Sequence, residues 1–237
     1  ALGNFYEDVK TGAGITSMNE LFDCAWMING ETEESSFKNL VKDAHHLTKH
    51  GDVTWTQYVG ITGVGGYVDT HYNPHDEGVK YSLNNAAIGC YSSVEISDAK
   101  AVEIGVRQGS GDDCLLIINR SGTTVYTYAK NNSARTYRAV TDTSIGLFIT
   151  TRDGNLYTNQ YVYKDKTSID DSGGQTNSTN IVPDYNIYLL SLNDDGTAVS
   201  PSTKTIQFAF AGGHITTTVR DVLVDALEAF RNRLFFL

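Results

Sequence analysis

An all-β, antiparallel two-sheet sandwich with a short N-terminal helix and a C-terminal amphipathic helix is the fold class this sequence predicts. Three observations carry that reading. From Thr54 onward, short runs rich in β-branched and aromatic residues recur at about ten-residue intervals with polar turns between them, the cadence of a sandwich. The composition agrees, because 14 Tyr and 9 Phe favour strands while 22 Gly against 3 Pro favour tight turns within sheets. The last fifty residues supply two strands and one amphipathic helix, and such a helix needs a sheet surface to cover. A length of 237 residues suits one large β domain with a core that needs no disulfide or metal staple.

Taken in order, residues 1–17 (ALGNFYEDVKTGAGITS) are weakly patterned and read as an arm or linker, leaving 18–237 as the sandwich domain. A chain that begins at Ala1 reads as a processed or partial product. MNELFDCAWMING fits either a helical stripe (Leu21, Phe22, Ala25, Trp26) or a strand. ETEESSFKNLVKDAHH spaces Phe37, Leu40, Val41 and Ala44 as a short surface helix with an acidic start. VTWTQYVGI alternates as one strand, and GVGGYVDT is a glycine bend entering another. AAIGCYSSV, AVEIGVRQ, DCLLIIN, TTVYTYAK, TSIGLFITTRD and LYTNQYVYK follow as strands. In AVEIGVRQ, Val102, Ile104 and Val106 face the core, and Glu103, Gly105 and Arg107 face out. Arg152-Asp153-Gly154-Asn155 reads as a hairpin with glycine in a left-handed conformation.

Thr167–Asn180 is polar and of low complexity, hence an exposed loop that is either mobile or ligand-contacting. DYNIYLLSLND is an apolar run sized for a strand buried on both faces. In KTIQFAFAGG, Ile206, Phe208 and Phe210 point one way, and Gln207 and Ala209 the other. Thr216–Thr218 offer caps to a helix whose buried stripe is Val219, Val222, Leu223, Ala226, Leu227 and Phe230. Arg220, Asp221, Asp225, Glu228 and Arg231 take most of the opposite side.

A resemblance rests on these same stretches. GYVDTHYNP, NNAAIGCY, SIGLFITTRDGNLYTNQYVYKD, IYLLSLNDDGT, IQFAFAGGHIT and TTVRDVLVDALEAF, in that order and spacing, resemble phage virion proteins with concanavalin A-like (laminin G-like) jelly-roll domains. Such domains occur in tail fibres, head fibres and related appendages. The likeness spans roughly residues 50 to 235 and favours a strand for MNELFDCAWMING. It implies a non-enzymatic structural component of a virion: a fibre, an appendage or a capsid-decorating domain, assembled in the host cytoplasm. The implied partners are other virion proteins, sister subunits in a homo-oligomer (a trimer where the domain sits in a fibre) and a host surface glycan. Two rival classes stand beside it: a carbohydrate-binding module or adhesin, and a glycan hydrolase with an unrecognised site.

The chemistry-bearing residues narrow the choice. A net charge of −10 argues against a nucleic-acid partner, which requires a basic face, and no apolar run is long enough for membrane insertion. Cys24, Cys90 and Cys114 form no CxxC pair and read as free, buried thiols suited to a reducing compartment. Glycanases on this fold align two carboxylates about 5 Å apart on one strand. Glu95, Asp98 and Glu103 have the wrong spacing for that, and Glu31, Glu33 and Glu34 read as a helix start. No nucleophile motif and no HExxH occurs, so His45, His46 and His50 read as a solvated helix end.

Asp69, His71 and Asn73 share a face in DTHYNPHDEG, with Asp76 following, in partial likeness to a lectin calcium loop. Tyr67 stands where a further acidic ligand belongs, so the stretch reads as a strand end and turn. Tyr126, Tyr128, Tyr157, Tyr161 and Tyr163 are period-2 neighbours, which form either a sugar-stacking platform or cross-strand pairs. The expectation is therefore no catalytic, cofactor or metal residue.

Overall fold

The computed structural model describes residues 2–95, 101–109, 112–121, 124–131, 136–140, 143–156, 159–169 and 181–234, with the backbone alone between 112 and 140. Helix α1 (Leu2–Ala13) and a 3₁₀ turn (Met18–Glu20) lead into β1 (Phe22–Met27). A one-turn helix, α2 (Glu33–Ser36), precedes β2 (Thr48–His50), β3 (Val53–Thr56), β4 (Gly60–Gly63) and β5 (Tyr67–Asp69). After α3 (Pro74–Glu77) come β6 (Asn85–Ser92), β7 (Ile104–Gln108), β8 (Asp112–Ser121), β9 (Thr124–Asn131) and β10 (Thr136–Val140). Then follow β11 (Gly146–Asp153), β12 (Gln160–Lys164), β13 (Thr167–Ser168), β14 (Tyr188–Leu189), β15 (Leu192–Asp194), β16 (Thr197–Val199), β17 (Thr205–Gly212) and α4 (Thr217–Leu234).

Among the described residues the strands build two sheets. One has eight strands in the order β13-β12-β11-β6-β17-β4-β3, with β1 beside β4 along β17. The other has nine, in the order β10-β9-β8-β7-β14-β5-β2, with β15 and β16 attached at β7. Pairing is antiparallel except between β15 and β7. This is the antiparallel two-sheet sandwich that the sequence predicts. A first core lies between the sheets, where Trp26, Ile88, Cys90 and Phe148 meet Val68, Ile104, Val106 and Leu189. A second lies on the outer face of the eight-stranded sheet, where Phe208, Phe210, Ile149 and Tyr163 meet Phe5 and Val9 of α1 and Leu223, Leu227 and Phe230 of α4.

Residues 1–17 do not form the expected free arm. Leu2–Ala13 are helical, and the Phe5 ring sits 5.6 Å from Phe208 and 6.1 Å from Phe230, fully buried. Burying each such ring is worth about 2 kcal/mol, enough to hold a three-turn helix that would be marginal alone. A bulge explains another departure. The pairing of β17 with β6 slips between Ile206 and Phe208, so Ile206 enters the inter-sheet core while Phe208 and Phe210 enter the helix-facing one.

The run DYNIYLLSLND is buried from Ile187 to Asn193, as expected, but it is two short strands and not one. Leu190 takes φ 62° and turns the chain, so β14 runs antiparallel to β7 and β15 parallel to it. VTWTQYVGI likewise folds into the β3–β4 hairpin, with Tyr58 at φ 60° in its turn. The helix expected across Phe37–Ala44 stops after one turn at Ser36, capped by Thr32, whose hydroxyl accepts the Ser35 N–H at 3.1 Å. Strand β1 resolves the open choice for MNELFDCAWMING, and Thr216 caps α4 through the Val219 N–H at 3.3 Å.

Candidate functional site

The two outer faces of the sandwich differ in what covers them. On the outer side of the eight-stranded sheet α1 and α4 lie across the strands, whereas no described helix contributes to a cluster on the outer side of the nine-stranded sheet. Along β2, β5, β14 and β7 the residues between the core-facing Val68, Leu189, Ile104 and Val106 must project from the open side. That places His50, Tyr67, Asp69, Tyr188 and Arg107 together, from positions that span 139 residues of chain between 50 and 188.

The aromatic members form a ladder. The His50 and Tyr67 rings stack with centroids 4.8 Å apart and planes 9° from parallel, and Tyr67 stacks on Tyr188 at 4.4 Å. Tyr188 is the buried end, and burial raises its phenol well above the usual range, with Tyr67 and Asp69 adding to the effect. Tyr67 is half-buried and His50 exposed, so the ladder opens toward solvent at β2.

Beside it, the Asp69 carboxylate is held in place. Its Oδ1 accepts the His71 N–H at 2.7 Å and the Asn186 Nδ2–H at 3.1 Å. His71 takes φ 53° to make that contact, and its carbonyl accepts the His45 Nδ1–H at 2.6 Å. Asn193 Nδ2 donates to the Asn186 carbonyl at 2.7 Å, which positions the asparagine in turn. At the far end of the face Arg107 grips Asp194 through two parallel hydrogen bonds, one of them Nε to Oδ1 at 2.8 Å. This pairing holds the Asp194 carboxyl below its ordinary range. A stacked aromatic edge, an oriented carboxylate, an amide and a guanidinium–carboxylate pair are groups that take the faces and hydroxyls of a polar ring.

Other expected residues go elsewhere. Asp69, His71, Asn73 and Asp76 do not converge on one point. Asn73 caps α3 by accepting the His75 N–H at 3.0 Å, and its Nδ2 donates to Asp184 at 2.8 Å. Asp76 instead joins His75 and Asp184, whose ligand atoms lie within 4.8 Å of one another, all exposed. His75 is shifted up, chiefly by its hydrogen bond to Asp76. These groups pair among themselves at the surface.

His45, His46 and His50 are not a solvated helix end. The His45 side chain is 7% exposed, His46 Nδ1 accepts the Asn39 N–H at 3.2 Å, and His50 belongs to the aromatic ladder. Glu95 accepts from the Thr143 hydroxyl and from the Ser144 N–H at 2.9 Å. Glu103, expected to face out, is buried and accepts from Ser202 at 3.2 Å, near the equally buried Lys204. Asp98 lies outside the described residues.

Tyr161 and Tyr163 stack 6.3 Å apart on the covered face, and the Arg220 guanidinium sits 4.6 Å over the Tyr163 ring. Arg220, expected on the solvent side of α4, is itself buried by that contact. Tyr157, residues 170–180 of the expected loop, and the side chains of Tyr126, Tyr128 and Cys114 lie outside the described residues. Cys24 and Cys90 are free and fully buried, which pushes both thiols well up.

Sequence reasoning missed one hub entirely. Asp23 is buried in β1 and accepts from the Tyr72 hydroxyl at 2.9 Å and from the backbone N–H groups of Val79, Lys80 and Tyr81 at 2.8 to 3.1 Å. It ties the 72–81 segment, which leaves β5 just past Asp69, to the eight-stranded sheet. A lone Asp beside a cysteine carries no local signal of this role.

No family model matches the chain, and no curated protein matches it. Similar folds occur among solved structures. A mutant of Trypanosoma rangeli sialidase displaying trans-sialidase activity aligns with a TM-score of 0.56 at 10% identity, over 96% of this chain and 38% of that one. The chain thus spans well under half of the sialidase's length. Domain 4 of AbnA, an extracellular arabinanase of Geobacillus stearothermophilus, in complex with arabinotriose, aligns at 0.52 and 8% identity over 85% and 98%. The binding domain of botulinum neurotoxin serotype D aligns at 0.52 and 10% identity over 88% and 51%. These likenesses establish a shared sandwich fold.

Proposed function

We propose that this chain is a non-catalytic glycan-binding sandwich, an adhesive domain that takes saccharide on the open face of its nine-stranded sheet. The observation that carries the reading is the His50–Tyr67–Tyr188 ladder beside the oriented Asp69 carboxylate on a face that no described helix covers. The similar sandwich domain of the arabinanase, described in complex with arabinotriose, supports it by fold. The non-catalytic part rests on how the carboxylates are used. Asp194 is neutralised by Arg107, Glu103 is buried, and Glu95 holds a turn, so none of these three is poised as an acid opposite Asp69. The setting we propose is a phage appendage, on the strength of the sequence resemblance alone.

A glycan array probed with the full chain tests the binding. Binding of wild type and a roughly tenfold weaker signal in Tyr67→Ala, with the fold intact by circular dichroism, is the expected result. A blank array overturns the proposal. Release of reducing ends from a bound polysaccharide overturns the non-catalytic part.

A further inference from the structure

We infer that the saccharide taken by the open face is neutral and rich in hydroxyls, and that acidic sugars such as uronates and sialates are disfavoured; this rests on the glycan-binding reading above. The argument is the charge that meets a ligand on this face. Among the described residues, Asp69 lies between the ladder and Asn186; its hydrogen-bond partners are the His71 backbone N–H and the Asn186 amide, both uncharged, and the His71 imidazole, a cation only when protonated, stands 3.8 Å from its Oδ2. An ionised carboxylate has about four lone-pair sites and no proton to give, so the capacity left over accepts from ligand hydroxyls and repels a ligand carboxylate.

The described cation projecting from the face, Arg107, is bonded through two guanidinium nitrogens to Asp194. A ligand anion would have to displace that partner before it met positive charge. At the rim, Asp195 accepts the Gly109 N–H at 2.9 Å, and Asp184 donates its backbone N–H to Gln108 at 2.8 Å. The Asp195 carboxylate thus stands where β7 ends, while that of Asp184 turns to Asn73, whose Nδ2 donates to it at 2.8 Å. The chain as a whole carries −10, so the long-range field works in the same direction. Among the described residues, the donors facing a ligand here include the Tyr67 phenol, the exposed His50 ring and the Thr48 hydroxyl, which already shares a 2.8 Å hydrogen bond with His71 Nε2; the imidazoles carry charge only when protonated.

Matched probes test the inference: lactose against 3′-sialyllactose, and oligogalacturonate against the neutral oligosaccharide obtained by reducing its carboxyls. Binding is measured with the full chain at pH 8, where imidazoles are ordinarily uncharged. The expected result is that every saccharide bound has a neutral form at least tenfold tighter than its acidic partner. Asp69→Asn, which keeps the shape, narrows that gap, and Arg107→Gln, which unmasks Asp194, widens it. Acidic partners that bind as well as the neutral ones overturn the inference and leave the glycan-binding proposal standing. Failure of every probe and of the wider array removes both.

Discussion

Two rows of tyrosine lie on opposite outer faces of this sandwich and have opposite fates. On the eight-stranded sheet, Tyr163 is 5% exposed beneath the Arg220 guanidinium, and Phe208, Phe210 and Phe230 seal the rest of that face under α1 and α4. On the nine-stranded sheet, Tyr67 is half-exposed between His50 and Tyr188, and polar groups surround it where helices lie on the other face. Residue type does not separate the two rows, since both are stacked tyrosines on strands, Tyr161 and Tyr163 along β12 and Tyr67 and Tyr188 across β5 and β14. What separates them is the pair of helices, which turns one row into core and leaves the other as surface. A stacking platform is thus a matter of what else covers the sheet, and a run of alternating tyrosines does not report that.

Substitutions break this contrast to different extents. The largest effect belongs to the sealed face: Phe208→Ala should lower unfolding free energy by about 4 kcal/mol in urea melts, the usual range for a large ring lost from a core. Glycan affinity per folded molecule should stay at wild type, and a parallel loss of affinity would show that the faces are not independent. Asp23→Ala comes next. It strands the Tyr72 hydroxyl and three backbone N–H groups in a buried site, at about 3 kcal/mol. Because Asp23 anchors the segment that follows Asp69, hydrogen exchange at Val79–Tyr81 should speed up and affinity should also fall. This is the one substitution expected to cross from one face to the other.

Tyr67→Ala should cost about 1 to 2 kcal/mol of binding, roughly tenfold in Kd, with a smaller change in stability. Tyr161→Ala should leave Kd unchanged in the same titration. If Tyr161 proves the sensitive position, the assignment of the open face is wrong. The smallest effect is a pH slope at the border of the sealed face. His214 shares a 3.0 Å hydrogen bond with Thr151, and burial depresses its proton affinity. The unfolded chain therefore takes up the proton first on acidification. Stability should decline as pH falls below the ordinary histidine value of about 6.5 and level off below the lower folded value. His214→Gln should flatten that slope in thermal melts between pH 7 and 5.

Several departures from the sequence reading share one cause, contacts between residues far apart in the chain. Ile206 and Phe208 look like same-face neighbours until the bulge against β6 sends them to different cores. Phe5 and Val9 look like part of a loose arm until Phe208 and Phe230, two hundred residues away, give them a surface to dock on. Asp69 resembles, with His71 and Asn73, part of a calcium loop, yet the side-chain amide that orients it belongs to Asn186, 117 positions on.

Local chemistry was sufficient for the class of the fold, the antiparallel strands, the glycine turn at 154 and the capped closing helix. Each of those depends on side chains within one or two turns of their own backbone. Which tyrosines became surface, which carboxylates stayed buried and where a ligand face opened were decided only when distant strands paired and two helices chose one sheet to cover. Those outcomes are set by register and by competition for apolar area across the whole chain, and no window of neighbouring residues contains them.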